Sequence, residues 1–230
     1  MEALESPKNK PHVIAVLKNN YLDVSPRVFN IVVGRKGVIF DLDGTLVDME
    51  EANYRMYFEV LKRMYGLKIT EVEWEKFFAG RRPQESIYDF LRSKGKKQAV
   101  FDFGRFKLLA SPIKDDFIFK RLDEVAFLLP GASHFLERLN KMEGIKLALA
   151  TSTIHRFAKQ ILKHFGINDY FDVVLGGESV SRGKPDPEVY LKTLKTLKLE
   201  PNACLVFEDS QSGVEAALRA GIDVVRIENL

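Results

Sequence analysis

From Gly37 onward the chain alternates short apolar runs with segments of helical period. VIF (38–40), KLALA (146–150), VVLG (173–176), CLVF (204–207) and DVVRI (223–227) show little polar alternation. Strands covered on both faces of a parallel sheet have this pattern. In HRFAKQILKHFG, Phe157, Ile161 and Phe165 recur at four-residue spacing, and Gly166 supplies a C-terminal stop. In DPEVYLKTLKTLKL, Asp186 offers a cap, Pro187 suits the first helical position, and Leu191, Leu194 and Leu197 form one stripe. GVEAALRAG presents Val214, Ala217 and Leu218 as its inward set and ends at Gly221. Strands alternating with helices predict an α/β fold, a Rossmann-like open parallel sheet.

The rhythm breaks between about residues 50 and 126, a stretch rich in aromatic and charged residues that holds the single tryptophan, Trp74. ANYRMYFEVLKRMYG and PQESIYDFLRSKG predict helices there. The expected organisation is a core of residues 37–49 and 127–230, with a helical cap, residues 50–126, inserted after the first core strand. Residues 1–36 form an N-terminal extension. Its two apolar runs, HVIAVL and VFNIVV, are separated by the turn formers of NNYLDVSP. An irregular β-hairpin and a frayed extension both fit that pattern.

Composition narrows the function classes. Hydrophobic residues make up 46% of the 230, enough for a sizeable core, and a formal net charge of +3 gives no reason to expect a nucleic-acid partner. One cysteine, Cys204, excludes an internal disulfide and a multi-cysteine metal cluster, and suits a reducing cytoplasm. No apolar run approaches the roughly 20 residues of a membrane span, and Met1–Pro11 lacks the apolar centre of a signal peptide. A cytoplasmic protein without a membrane partner is expected.

Four polar clusters follow predicted strands: DLDGT after VIF, TST after LALA, GKPDP soon after VVLGG, and EDS after CLVF. Ligands of open α/β sheets sit outside the carboxyl ends of the strands, so these clusters share one rim. Asp41, Asp43 and Asp209 gathered there would repel one another, by roughly 4 kcal/mol for a pair about 4 Å apart at an effective dielectric of 20. A cation relieves that repulsion. Oxygen ligands without cysteine or clustered histidine favour a hard ion, magnesium, which also accepts phosphate oxygens. Lys184 supplies a compact ammonium for a phosphate oxygen and for an attacking carboxylate. Thr151 and Ser152, ahead of the helix near His155, offer hydroxyl and backbone N–H groups to an anion.

In order and spacing, DLDGT, ATST, GKPDP and EDSQSGVEAA resemble the four motifs of the haloacid dehalogenase superfamily, over roughly residues 37–227. The nearest resemblance is to its β-phosphoglucomutase-like phosphatases, which carry a helical cap between the first two motifs. The resemblance implies that Asp41 is the nucleophile, forming an aspartyl-phosphate, and that Asp43 is the acid and then the base. It further implies that Thr151, Ser152 and Lys184 hold the phosphoryl group. Asp41, the Asp43 carbonyl and Asp209 would bind magnesium, with Glu208 a ligand directly or through water. Dehalogenases of this superfamily lack an acid at the position of Asp43, because a halide needs no proton; its presence favours phosphate esters.

Two departures bear on substrate. Mutase-like relatives often carry a histidine where this chain has Asn53, which cannot carry a proton. In AGRRPQESI, similar to their substrate loop, Arg81 and Arg82 are candidates for a second anionic group, while Pro83 stands where the mutases place an arginine. After DVVRIENL there is no room for the final strand and helix usual in the group, and the N-terminal stretch is expected to cover the exposed sheet instead. The expected activity is magnesium-dependent hydrolysis of a small phosphorylated metabolite, a sugar phosphate for example. The alternatives are a phosphosugar mutase or a non-catalytic binding protein.

Overall fold

A computed structural model describes residues 12–18, 26–78, 83–96 and 101–228, which divide into two compact units, Met1–Val47 with Leu128–Leu230, and Asp48–Phe127. Up to the second unit the elements are β1 (Val13–Lys18), α1 (Pro26–Val32), β2 (Gly37–Phe40) and β3 (Val47–Asp48). The second unit holds α2 (Glu50–Tyr65), α3 (Glu71–Phe77), α4 (Pro83–Ser93) and α5 (Phe103–Lys120). After it come β4 (Phe127–Leu128), α6 (Ala132–Asn140), β5 (Lys146–Ala150), α7 (His155–His164) and β6 (Val173–Leu175). The chain continues with α8 (Glu188–Leu197), β7 (Cys204–Glu208), α9 (Gln211–Arg219) and β8 (Asp223–Glu228).

Six parallel strands form the main sheet in the order β1-β8-β7-β2-β5-β6, so the expected open α/β sheet is present with β2 near its centre. Its residues alternate between two apolar faces, which is why the strands show little polar alternation. Ile39, Ala148, Ala150, Val206 and Val224 pack with residues of α8 and α9 in one buried cluster. On β2 and β7, Phe40 stacks on Phe207 at 5.0 Å, and both meet the edge of Phe135 from α6. Phe40 lies opposite Leu149 on one side and Phe207 on the other, so residues 41, 150–151 and 208–209 emerge on the same rim.

Helix faces overturn one sequence assignment and extend two others. In α8 the buried set is Val189, Tyr190, Thr193, Leu194 and Leu197, and Leu191 is 47% exposed. The helix is rotated by about one residue relative to the leucine stripe, because the interior selects Tyr190 for its polar tip. In α9, Val214 and Ala217 are buried as expected, Leu218 is partly buried and packs against the same core, and Ala216 joins them; in α7, Leu162 is buried where Phe165 caps the end half-buried.

The N-terminal hairpin does not form. HVIAVL supplies β1, which pairs in parallel with β8, and VFNIVV lies largely in α1. The β-branched run is helical because Pro26 suits a first helical turn and the helix buries Val32 completely. Phe29 of α1 meets the edge of Phe135 at 5.4 Å. The extension does flank β8, as one strand. Asp223, at the start of β8, accepts from the His12 N–H and from Arg35 Nη2 at 2.6 Å. Deleting residues 1–34 forfeits the burial of Val32 and Phe29, about 3 kcal/mol or more. A calorimetric melting temperature lower by about 6 °C or more is the expected result; an unchanged one would mean that β1 and α1 contribute no stability.

The second unit is organised around aromatic side chains. Trp74 stacks on Phe78 at 5.5 Å, meets Tyr54 and Tyr57 edge-on, and donates from Nε1 to Glu50 at 2.9 Å. Thr70 and Glu73 form a reciprocal capping box at the start of α3. Asp48 takes the first N–H of α2 at 2.8 Å, so it serves as a cap there. Among the described residues no helix is long and apolar enough to cross a membrane.

Candidate active site

Asp41 follows β2 and is buried; its N–H is donated to Phe207 O at 3.0 Å, which ties the residue to β7. The neighbouring strand ends in Glu208, fully buried, followed by Asp209. Carboxylate oxygens of Asp41, Glu208 and Asp209 lie within 4.8 Å of one another. Lys184, in the loop before α8, donates to Asp41 Oδ1 and to Glu208 Oε2, each at 2.6 Å. Residues separated by up to 168 positions in the chain thus meet in one ion cluster.

Glu208 is held on both oxygens. Oε2 also accepts from the Tyr190 hydroxyl at 2.7 Å, and Oε1 from the Ser210 N–H and hydroxyl at 3.2 and 2.8 Å. Ser210 Oγ accepts in turn from the Gly213 N–H and caps α9. Gly213 has to be glycine. A Cβ there would stand 2.0 Å from the Glu208 carboxyl carbon.

Acids outnumber bases at this rim, and the electrostatics register it. Asp209 is pushed up to about 9 by burial, then by Glu208, Asp41 and Asp43. Asp41 is pushed up to about 7 by burial and Glu208, which outweigh its bond to Lys184. Burial opposes ionisation of Glu208 too, but Lys184, Tyr190 and Ser210 together hold its carboxyl below the usual range. Burial disfavours the Lys184 ammonium, yet Asp41 and Glu208 prevail and raise it well above its ordinary value. With one ammonium among three carboxylates, the cluster ionises fully only at a cost, and its oxygen donors fit a hard divalent cation that would offset it.

This charge surplus predicts a stability trend for the metal-free protein. Asp41 and Asp209 are raised above 3.8, so the stability they permit is present below that pH and is lost as pH rises through about 7 and about 9. Glu208 is depressed below 4.5 and Lys184 raised above 10.5, so neither adds a slope between pH 5 and 9. Urea midpoints measured in chelator should fall from pH 5 to pH 9, and magnesium should restore most of the loss at pH 9. A midpoint that rises over this range would contradict the charge assignment.

Asp43 is half-buried, bridges to Val47 and contributes its charge to both Asp41 and Asp209. Thr45 donates to Asp209 Oδ1 at 3.4 Å. Thr151 is buried at the end of β5, its Oγ1 accepting from the Thr153 N–H at 3.1 Å, whereas Ser152 is exposed. The anion site expected at the start of α7 is modified: the His155 N–H is donated to both oxygens of Glu178, at 2.8 and 2.9 Å. A carboxylate of the chain itself takes that helix end. Asn53 lies in the first turn of α2, in the second unit, and Arg81 and Arg82 fall outside the described residues.

Residues 38–227, more than four-fifths of the chain, match the family model for haloacid dehalogenase-like hydrolases. The chain is a haloacid dehalogenase-like hydrolase. It is 38% identical over 191 residues to the phosphorylated carbohydrates phosphatase of Thermotoga maritima, covering 82% of each chain. With hexitol phosphatase A of Escherichia coli it shares 33% identity over 192 residues, 84% of this chain and 82% of that one. The crystal structure of β-phosphoglucomutase from Clostridium difficile is similar with a TM-score of 0.67 at 26% identity, covering 85% of both chains.

Three members of the cluster escape sequence reasoning in this haloacid dehalogenase-like hydrolase: Tyr190, Ser210 and Thr45. A signal for Tyr190 existed, since a tyrosine inside an apolar helical face must find a partner for its hydroxyl. A buried second carboxylate in EDS likewise needs donors.

Proposed function

We propose that the protein is a magnesium-dependent phosphatase of small phosphorylated metabolites, sugar phosphates among them, working through an aspartyl-phosphate on Asp41. The observation that carries this reading is the ammonium of Lys184 held at 2.6 Å from both Asp41 and Glu208, beside Asp209. An Asp41 oxygen attacks phosphorus while the ester P–O bond breaks and Asp43 gives the leaving oxygen its proton. Asp43, now a carboxylate, takes a proton from water, whose oxygen attacks phosphorus and breaks the bond to Asp41. Inorganic phosphate leaves, and both aspartates return to their starting states. Thr151, Ser152 and Lys184 donate to the phosphoryl oxygens as charge redistributes. Asp41, Asp209, the Asp43 carbonyl and Glu208, directly or through water, would hold magnesium, whose charge offsets that of the carboxylates and the phosphoryl group.

Asn53, Arg81 and Arg82 are assigned to substrate recognition. A cytoplasmic setting accords with the single, buried Cys204, whose thiol burial pushes up to about 11. The named activities of the Thermotoga and Escherichia relatives support a phosphorylated carbohydrate or polyol as substrate. A panel of phosphorylated sugars, polyols and simple phosphate esters, with magnesium and with chelator, tests the reading. Magnesium-dependent phosphate release is expected. Interconversion of glucose phosphates without net release would replace it with a mutase, and no turnover on any ester would leave a binding protein.

A further inference from the structure

Tyr190 has no part in the chemistry just described, yet it is fully buried with its hydroxyl 2.7 Å from Glu208 Oε2. That same oxygen receives Lys184, whose Nζ also stands 5.2 Å from the centroid of the Tyr190 ring. The other oxygen is taken by Ser210. On the α9 side the carboxylate runs against the Gly213 backbone, which leaves no room even for a methyl group. Glu208 is therefore walled in by Gly213, tethered by Ser210 and fixed at its remaining oxygen by Tyr190. The arrangement leaves it one geometry, and Lys184 takes its place from that geometry.

We propose that Tyr190 is a positioning residue for phosphoryl transfer: its hydroxyl holds the Glu208 carboxylate in the one orientation that delivers the Lys184 ammonium to Asp41. A glutamate lacking that bond is held on Oε2 by Lys184 alone, so that oxygen gains latitude about the terminal torsion, which is broad and soft, within the limits Ser210 and Gly213 set. Lys184 would follow the turning oxygen, and its reach to Asp41 and to a phosphoryl oxygen would vary. Hydrogen-bond partners of metal-ligating groups, among which Glu208 is placed above, are typically worth about 10–100-fold in activity. This inference rests on the phosphatase reading.

Tyr190→Phe removes the hydroxyl and keeps the ring against the α8 core. On the best ester of the panel, kcat is expected to fall about 10–100-fold. KM should stay within about twofold, because ground-state binding is retained. In the metal-free protein carrying ¹⁵N-labelled lysine, the Lys184 ammonium resonance should shift or broaden while the exposed lysines stay unchanged. A wild-type kcat, or a lower melting temperature with kcat and the Lys184 resonance both unmoved, would reduce Tyr190 to a packing residue and overturn the inference. A wild-type enzyme with no turnover would remove the phosphatase reading itself, whereas failure of Tyr190→Phe alone leaves that reading standing.

Discussion

Asp41→Asn is expected to lower phosphate release by at least about 10⁴-fold, as the loss of a nucleophile does when the surrounding site remains. The amide cannot attack phosphorus, and no other group bonded to Lys184 can replace it, since Glu208 is tied on both oxygens. Folding should survive. Asp41 is pushed up to about 7, so at pH 8 it is ionised in the metal-free site at a cost that the unfolded chain does not bear, and a neutral asparagine removes that cost. Lys184 keeps its bond to Glu208. The metal-free variant should thus melt no lower than wild type at pH 8. Activity near the wild-type level would refute the nucleophile assignment, and a collapsed fold would refute the account of the charge cluster.

Gly213→Ala sets two effects against each other. Alanine is better than glycine in a helix by about 1 kcal/mol. Against that gain, the new methyl would stand 2.0 Å from the carboxyl carbon of Glu208 and 2.1 Å from Oε2. A side-chain end can often swing away from such a clash. This one cannot without giving up Lys184, Tyr190 and Ser210 together. Breaking a buried ion pair costs about 3–5 kcal/mol, so the clash wins over helix propensity. Urea denaturation should show a net loss of about 2–4 kcal/mol, the difference between those two terms, with turnover falling in parallel. A variant more stable than wild type would mean that the Glu208 network is soft.

Local pattern carries much of this molecule. The core strands can be recognised because both faces are buried, and the four polar clusters because each follows a strand end. Lys184, Asp41, Glu208 and Asp209 meet as the parallel topology requires: strands β2 and β7 are neighbours and release their acids at the same rim. Information held in three dimensions was not legible. Glu178 reaches the start of α7 from 23 residues downstream, and nothing near His155 announces it. Tyr190 displaces Leu191 from the interior because a buried carboxylate on another strand needs its hydroxyl, a requirement foreign to a leucine stripe. At the N-terminus, β-branched residues suggested a second strand, but the burial of Val32 against the core outweighs that propensity and selects a helix.

In the proposed reaction Asp41 itself carries the phosphoryl group. Quenching the enzyme during turnover and treating it with borohydride would reduce an aspartyl-phosphate to homoserine, which peptide mass spectrometry can locate. The expected result is homoserine at residue 41, formed only when substrate and magnesium are both present. Phosphate release with no modification at residue 41, or with the modification on another carboxylate, would contradict it.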